Sequence, residues 1–137
     1  MLVQKFFLTS VLLMTLAGCT SITTMTPTQF NNLATTRLSF SGSWSGKVGE
    51  SWSVLKLDPQ GKGLLCMDDR KDLISYKVKL VDDVLYTDQG IKFKVKELNY
   101  QQANLYMSLL GVGATLSLDK DDQLQNATNK CRQLIKS

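Results

Sequence analysis

Leu38-Ser39-Phe40-Ser41-Gly42-Ser43-Trp44-Ser45-Gly46-Lys47-Val48 is the stretch that sets the fold class. It repeats with a period of two. Phe40, Gly42, Trp44, Gly46 and Val48 fall on one side, and Ser39, Ser41, Ser43, Ser45 and Lys47 on the other. Successive side chains of a β-strand point to opposite faces, so the stretch reads as a strand with an apolar inner face and a polar outer one. Glycines among large inward residues suit a bent strand that another backbone approaches closely.

Working outward from it, the same period recurs. Gly49-Glu50 reads as a hairpin turn before a strand at Trp52–Leu57, and Asp58-Pro59-Gln60-Gly61 is a turn with proline at its second position. Gly63–Met67 is a third strand, carrying Cys66, and Asp68–Asp72 reads as a solvated loop. Ile74, Tyr76, Val78 and Leu80 alternate with Ser75, Lys77 and Lys79 in a fourth. A short fifth spans Val84–Thr87. The sixth turns Ile91, Phe93 and Val95 inward and Lys92, Lys94 and Lys96 outward. Ala103–Leu110 and Ala114–Leu118 follow, joined by Gly111-Val112-Gly113, and Gln123–Ala127 reads as a ninth strand before the tail reaches Cys131. Upstream, Phe30, Leu33 and Ala34 share one helical face in a short helix at Thr28–Thr36, with Thr26 or Thr28 as its cap.

Short strands spaced by roughly 8–12 residues, with turns and no helices between them, predict an all-β antiparallel meander. About eight such strands close most readily into a small barrel, which removes exposed edges. A two-sheet sandwich is the alternative. The outward Ser and Lys residues disfavour a barrel that itself spans a membrane.

The N-terminus carries a different signal. Lys5 precedes an apolar run from Phe6 to Leu16, too short for the roughly 20 residues of a spanning helix but suited to a signal peptide. Leu16-Ala17-Gly18-Cys19 then resembles the lipobox of bacterial lipoproteins at all four positions. The resemblance implies lipidation of Cys19, cleavage before it, and membrane attachment through acyl chains such as palmitate. Thr20, in place of the Asp that signals inner-membrane retention, is compatible with the outer membrane of the cell envelope. The expected organisation is a signal peptide at 1–18, the lipidated Cys19 and a polar tether at 19–28, and one β-barrel domain at 29–137.

Removing residues 1–18 from the 137 leaves 119, enough for one core. The mature side chains then carry 15 Lys and Arg against 12 Asp and Glu, or +3. That mild, dispersed charge and the exported compartment argue against a nucleic-acid partner. Export places Cys66 and Cys131 where disulfides persist, which predicts a bridge between them; two separately buried thiols are the alternative. The sequence has no histidine. That removes Ser-His-Asp and Cys-His catalysis, and two thiols alone do not make a zinc set. Gly42-Ser43-Trp44-Ser45-Gly46 has Trp where a nucleophile elbow needs Ser. The Asp clusters at 68–72, 82–83 and 119–122 sit on expected turns, where Asp is favoured for local reasons. The reading is therefore non-enzymatic, with no metal and no cofactor.

Two features point to binding. Lys77, Lys79, Lys92, Lys94 and Lys96 face outward on the fourth and sixth strands, so a meander gathers them into one basic face for an anionic envelope component or an acidic protein. The same lysines also serve to keep the surface from pairing with other chains. Inward, Phe40, Trp44, Tyr76 and Phe93 are candidates to line an apolar ligand cavity. Gly42-Ser43-Trp44 on the first strand resembles the Gly-x-Trp motif of lipocalins, which implies an eight-stranded barrel holding a small hydrophobic molecule with Trp44 closing one end. Side chains packing a filled barrel explain the same aromatics. The function expected is a lipid-anchored envelope binding module. The alternative is a periplasmic protein inhibitor, since small disulfide-bearing β-barrel lipoproteins include lysozyme inhibitors.

Overall fold

The structure, a computed structural model, describes residues 25–137. The lipobox and Cys19 lie outside the described residues. After a short helix α1 (Pro27–Asn31), eight strands follow: β1 (Gly42–Val48), β2 (Ser51–Leu57), β3 (Lys62–Asp68), β4 (Leu73–Val81), β5 (Val84–Thr87), β6 (Lys92–Leu98), β7 (Gln102–Leu109) and β8 (Val112–Lys120). Helix α2 (Asn129–Lys136) ends the chain. Each strand pairs antiparallel with the next, and β8 returns to β1 through Trp44–Lys120 and Ser45–Asp119. The meander is therefore a closed barrel, its final β1–β8 seam paired over two residues.

The alternation seen in the sequence fills the interior. Trp44, Leu55, Leu65, Leu85, Phe93, Leu105 and Leu118 are each at most 1% exposed and pack together as the barrel core. Gly46 allows the close approach of β1 to the β8 backbone, and Gly42 leaves room for a side chain from the end of β8. A Cβ on Gly46 would strike the Ser117 carbonyl, and one on Gly42, whose φ is 151°, would strike the Lys120 ammonium.

A second, smaller core lies outside the barrel wall. Val54 and Cys66 point outward from β2 and β3 and are fully buried, because Leu124, Ala127, Cys131 and Ile135 cover them. The Cys66–Cys131 disulfide fastens α2 there, with Cα atoms 5.8 Å apart.

Four features differ from the reading of the sequence. Gln123–Ala127 is not a ninth strand but a pair of turns: the barrel is already closed, and the Asp121 carboxylate binds the Gln125 and Asn126 N–H groups at 2.8 and 2.9 Å. The tail beyond it is a helix, capped by the Thr128 hydroxyl accepting from the Cys131 N–H. Asp68 is not in a solvated loop; it ends β3 at 2% exposure. The first helix is also shorter than the sequence suggests. Thr26 and Gln29 form a reciprocal capping box with Pro27 at the first turn, but Asn and Thr do not propagate the helix past Asn31.

Candidate functional site

Hairpin connectivity brings the outward lysines together. Cross-strand pairs run Lys62–Lys79, Lys79–Tyr86 and Tyr86–Lys92 in one row, and Val84–Lys94 and Lys94–Tyr106 in the next. The register shifts between Val95 and Glu97, so Lys96 sits in a β-bulge and swings its ammonium over the Tyr106 ring at 5.4 Å. The Lys92 ammonium lies 6.0 Å from the Tyr86 ring. Among the described residues the one salt bridge is Lys120–Asp122, so none of the five expected lysines is neutralised by a carboxylate.

Lys79 has a different task from its neighbours. Its ammonium donates to the carbonyls of Phe30 and Asn31 at 3.0 and 2.9 Å and lies 5.0 Å from the Phe30 ring. It caps the C-terminal end of α1 and docks that helix on the barrel. Burial, and then the nearby Lys62, hold its pKa below the ordinary lysine value. The accessible basic face is therefore Lys77, Lys92, Lys94 and Lys96, with Tyr86 and Tyr106 among them and Lys62 at its border.

The four inward aromatics converge at the core. Trp44 and Phe93 are fully buried, and Phe40 and Tyr76 are half-buried against them. Phe40 meets Trp44 edge to face at 6.1 Å. Trp44 Nε1 donates to the Asn99 carbonyl at 3.2 Å. The Lys120 ammonium lies between the rings of Trp44 (4.5 Å) and Tyr100 (4.2 Å) and donates to the Ser41 carbonyl. Trp44 thus sits at one end of the barrel, held by backbone, cation and aromatic contacts.

The surface also has a groove that the linear sequence does not reveal. A depression of about 400 Å³ is lined by Asp68, Arg70, Ala127, Thr128, Asn129 and Lys130. A second, of about 200 Å³, is lined by Trp52, Arg70, Gln125, Asn126, Ala127 and Thr128. They share Arg70, Ala127 and Thr128 and so run together along the seam between the barrel wall and the C-terminal segment. Two carboxylates hold that seam. Asp68 accepts from the Thr128 hydroxyl at 2.5 Å and the Arg70 N–H at 2.8 Å, and these bonds, the hydroxyl's foremost, outweigh burial and lower its pKa. For Asp121 burial is the largest single influence and raises the pKa. The Ser45 hydroxyl at 2.6 Å, the Asn126 and Gln125 N–H groups and the Arg132 charge together overcome it and leave the pKa lowered. Ser43 and Ser45, outward on β1, are buried for the same reason: the segment after β8 lies over them. The groove residues come from β2, the end of β3, the β3–β4 turn and the tail; only Trp52, outward on a strand with an apolar neighbour at Val54, carried a signal in the sequence.

Among the described residues, no group of His, Cys, Asp and Glu is arranged to hold a metal ion. No family model matches the chain, and no curated protein or solved structure matches it significantly.

Proposed function

We propose that this chain is a lipid-anchored lipoprotein of the bacterial envelope, and that its barrel is a non-enzymatic module binding an anionic envelope component such as phosphate-bearing lipid headgroups. The observation that carries the reading is the lysine–tyrosine face on β4–β7: cations without carboxylate partners, spaced by the strand register, with rings between them. Such a face attracts phosphate by charge, and the rings hold the lysine stems in place. The filled interior supports a surface-binding role over carriage of a small apolar molecule. The lipobox supplies the anchor, by resemblance, at Cys19.

Two experiments test this. Cys19→Ala should move the protein from the membrane to the soluble fraction; retention on membranes would remove the anchor. A soluble form beginning at Thr20 should sediment with phosphatidylglycerol vesicles and not with phosphatidylcholine vesicles. Lys92→Glu/Lys94→Glu/Lys96→Glu should weaken that binding at least tenfold, and salt should do the same. Unchanged binding by the triple variant would refute the face.

A protein-directed inhibitor is the second reading. It is favoured by the β7–β8 tip, where Leu110 is 89% and Val112 72% exposed. Apolar side chains so placed at a hairpin tip suit insertion into a partner's cleft.

A further inference from the structure

The groove along the C-terminal seam is separate from the lysine face and has different chemistry. We propose that it binds an acidic carbohydrate, a chain of pyranose rings carrying carboxylates. Three observations lead there. Trp52 is half-buried in the wall of the groove, and a flat indole face matches the C–H face of a pyranose ring. Gln125 and Asn126 line the same depression, their side-chain amides have no hydrogen-bond partner among the described residues, and each can donate and accept toward sugar hydroxyls. Their backbones are pinned by Asp121, so only the side chains remain to be ordered when a ligand arrives.

Arg70 supplies the acidic preference. It is the one cation common to both depressions, and its guanidinium has no carboxylate partner among the described residues. Its φ is 72°, a conformation uncommon for a side-chain-bearing residue, and its N–H is bound to Asp68. The backbone is thus fixed with Arg70 at the junction of the two depressions. A guanidinium pairs with a carboxylate through two parallel hydrogen bonds. Both Asp68 oxygens are already occupied, one by Thr128 and one by Arg70 N–H, so this carboxylate is committed to the fold. Lys130, in the first turn of α2, adds a second positive charge at the far end. The larger depression, at about 400 Å³, falls within the range of small-molecule sites.

The test is calorimetric titration of the full chain, in nonionic detergent, with tetragalacturonic acid and with the same tetrasaccharide after reduction of its carboxylates to alcohols. Binding of the acidic probe should be saturable and change tryptophan fluorescence, and the reduced probe should bind at least tenfold more weakly. Trp52→Ala should weaken the acidic probe at least tenfold, and Arg70→Gln should abolish the preference for it. Asn126→Ala, at an exposed turn position, should weaken binding without disturbing the wall, which covers the case in which Trp52→Ala unfolds. Failure of both probes to saturate at millimolar concentration overturns the proposal, as does wild-type affinity in Trp52→Ala and Asn126→Ala. Binding lost in the Lys92/Lys94/Lys96 triple variant but kept in Trp52→Ala also overturns it, while leaving the lysine face standing.

Discussion

Gly42 shows how one residue's missing side chain decides a contact. Its φ of 151° and the closeness of the Lys120 ammonium leave no room for a Cβ. That closeness is what lets Lys120 reach the Ser41 carbonyl and sit between Trp44 and Tyr100. Gly42→Ala should therefore lower stability by about 1–3 kcal/mol, through backbone strain and a displaced cation, as read by urea denaturation. Leu110 is the opposite case. It and Gly111 form the two-residue β7–β8 connection with φ of 52° and 79°, the pattern of a type I′ turn, which favours Asn or Gly at both places. Leu110→Asn should raise the melting temperature, by roughly 0.5–1 kcal/mol of stability, because it relieves strain at an 89% exposed side chain.

At the scale of elements, α2 matters most because it is too short to be stable alone. Eight residues with one cap do not hold a helix in water. The disulfide, the Asp68–Thr128 bond and the apolar contacts of Cys131 and Ile135 hold it against β2 and β3. Closing a loop of 65 residues removes entropy from the unfolded chain worth about 4 kcal/mol in the chain-entropy model. Cys131→Ser should cost about 2–4 kcal/mol under oxidising conditions and make the melting temperature indifferent to reductant. A parent protein equally indifferent to reductant would show that the bridge contributes nothing. The tail helix was partly legible: Thr128 stands three residues before Cys131, and Cys131, Leu134 and Ile135 fall on one helical face. Reading Gln123–Ala127 as a strand obscured it, since that segment has strand-like polarity and its turns depend on Asp121, whose burial no local pattern reveals.

For the whole molecule, the strand meander places the turns after β1, β3, β5 and β7 at one end. The other end receives the N-terminal segment, where Thr36 N–H donates to the Leu80 carbonyl and Leu38 N–H to the Pro59 carbonyl. The barrel and its outer core are coupled through Asp68 and Asp121, both with lowered pKa. A carboxylate whose folded pKa is depressed stabilises the protein fully above its unfolded value, about 3.9, and that stabilisation is lost as pH falls toward the folded value. Melting temperature should therefore hold steady down to about pH 5 and fall steeply below pH 4. The Asp68→Asn/Asp121→Asn double variant should be less stable at pH 7 and lose less on acidification. Parallel acid profiles for the variant and the parent would show that these two groups do not carry the effect.

The barrel was legible in the sequence because it rests on local regularities. Two-residue alternation from Phe40 to Val48 and from Ile91 to Lys96 assigns the inner and outer faces, and Asp-Pro-Gln-Gly and Asp-Asp mark turns. The pairing of Cys66 with Cys131 was legible by arithmetic once export was inferred. The outward lysines were legible as well, though not that Lys79 caps α1. Tertiary structure alone decided the rest. Ser43, Ser45, Val54 and Cys66 all point outward, and their burial follows from a segment more than 50 residues away lying over them. Trp52, Arg70 and Gln125 likewise meet only when that segment folds back. Alternation specifies which side of a strand a residue faces, but what covers the outer side depends on packing between distant parts of the chain, which no short-range pattern encodes.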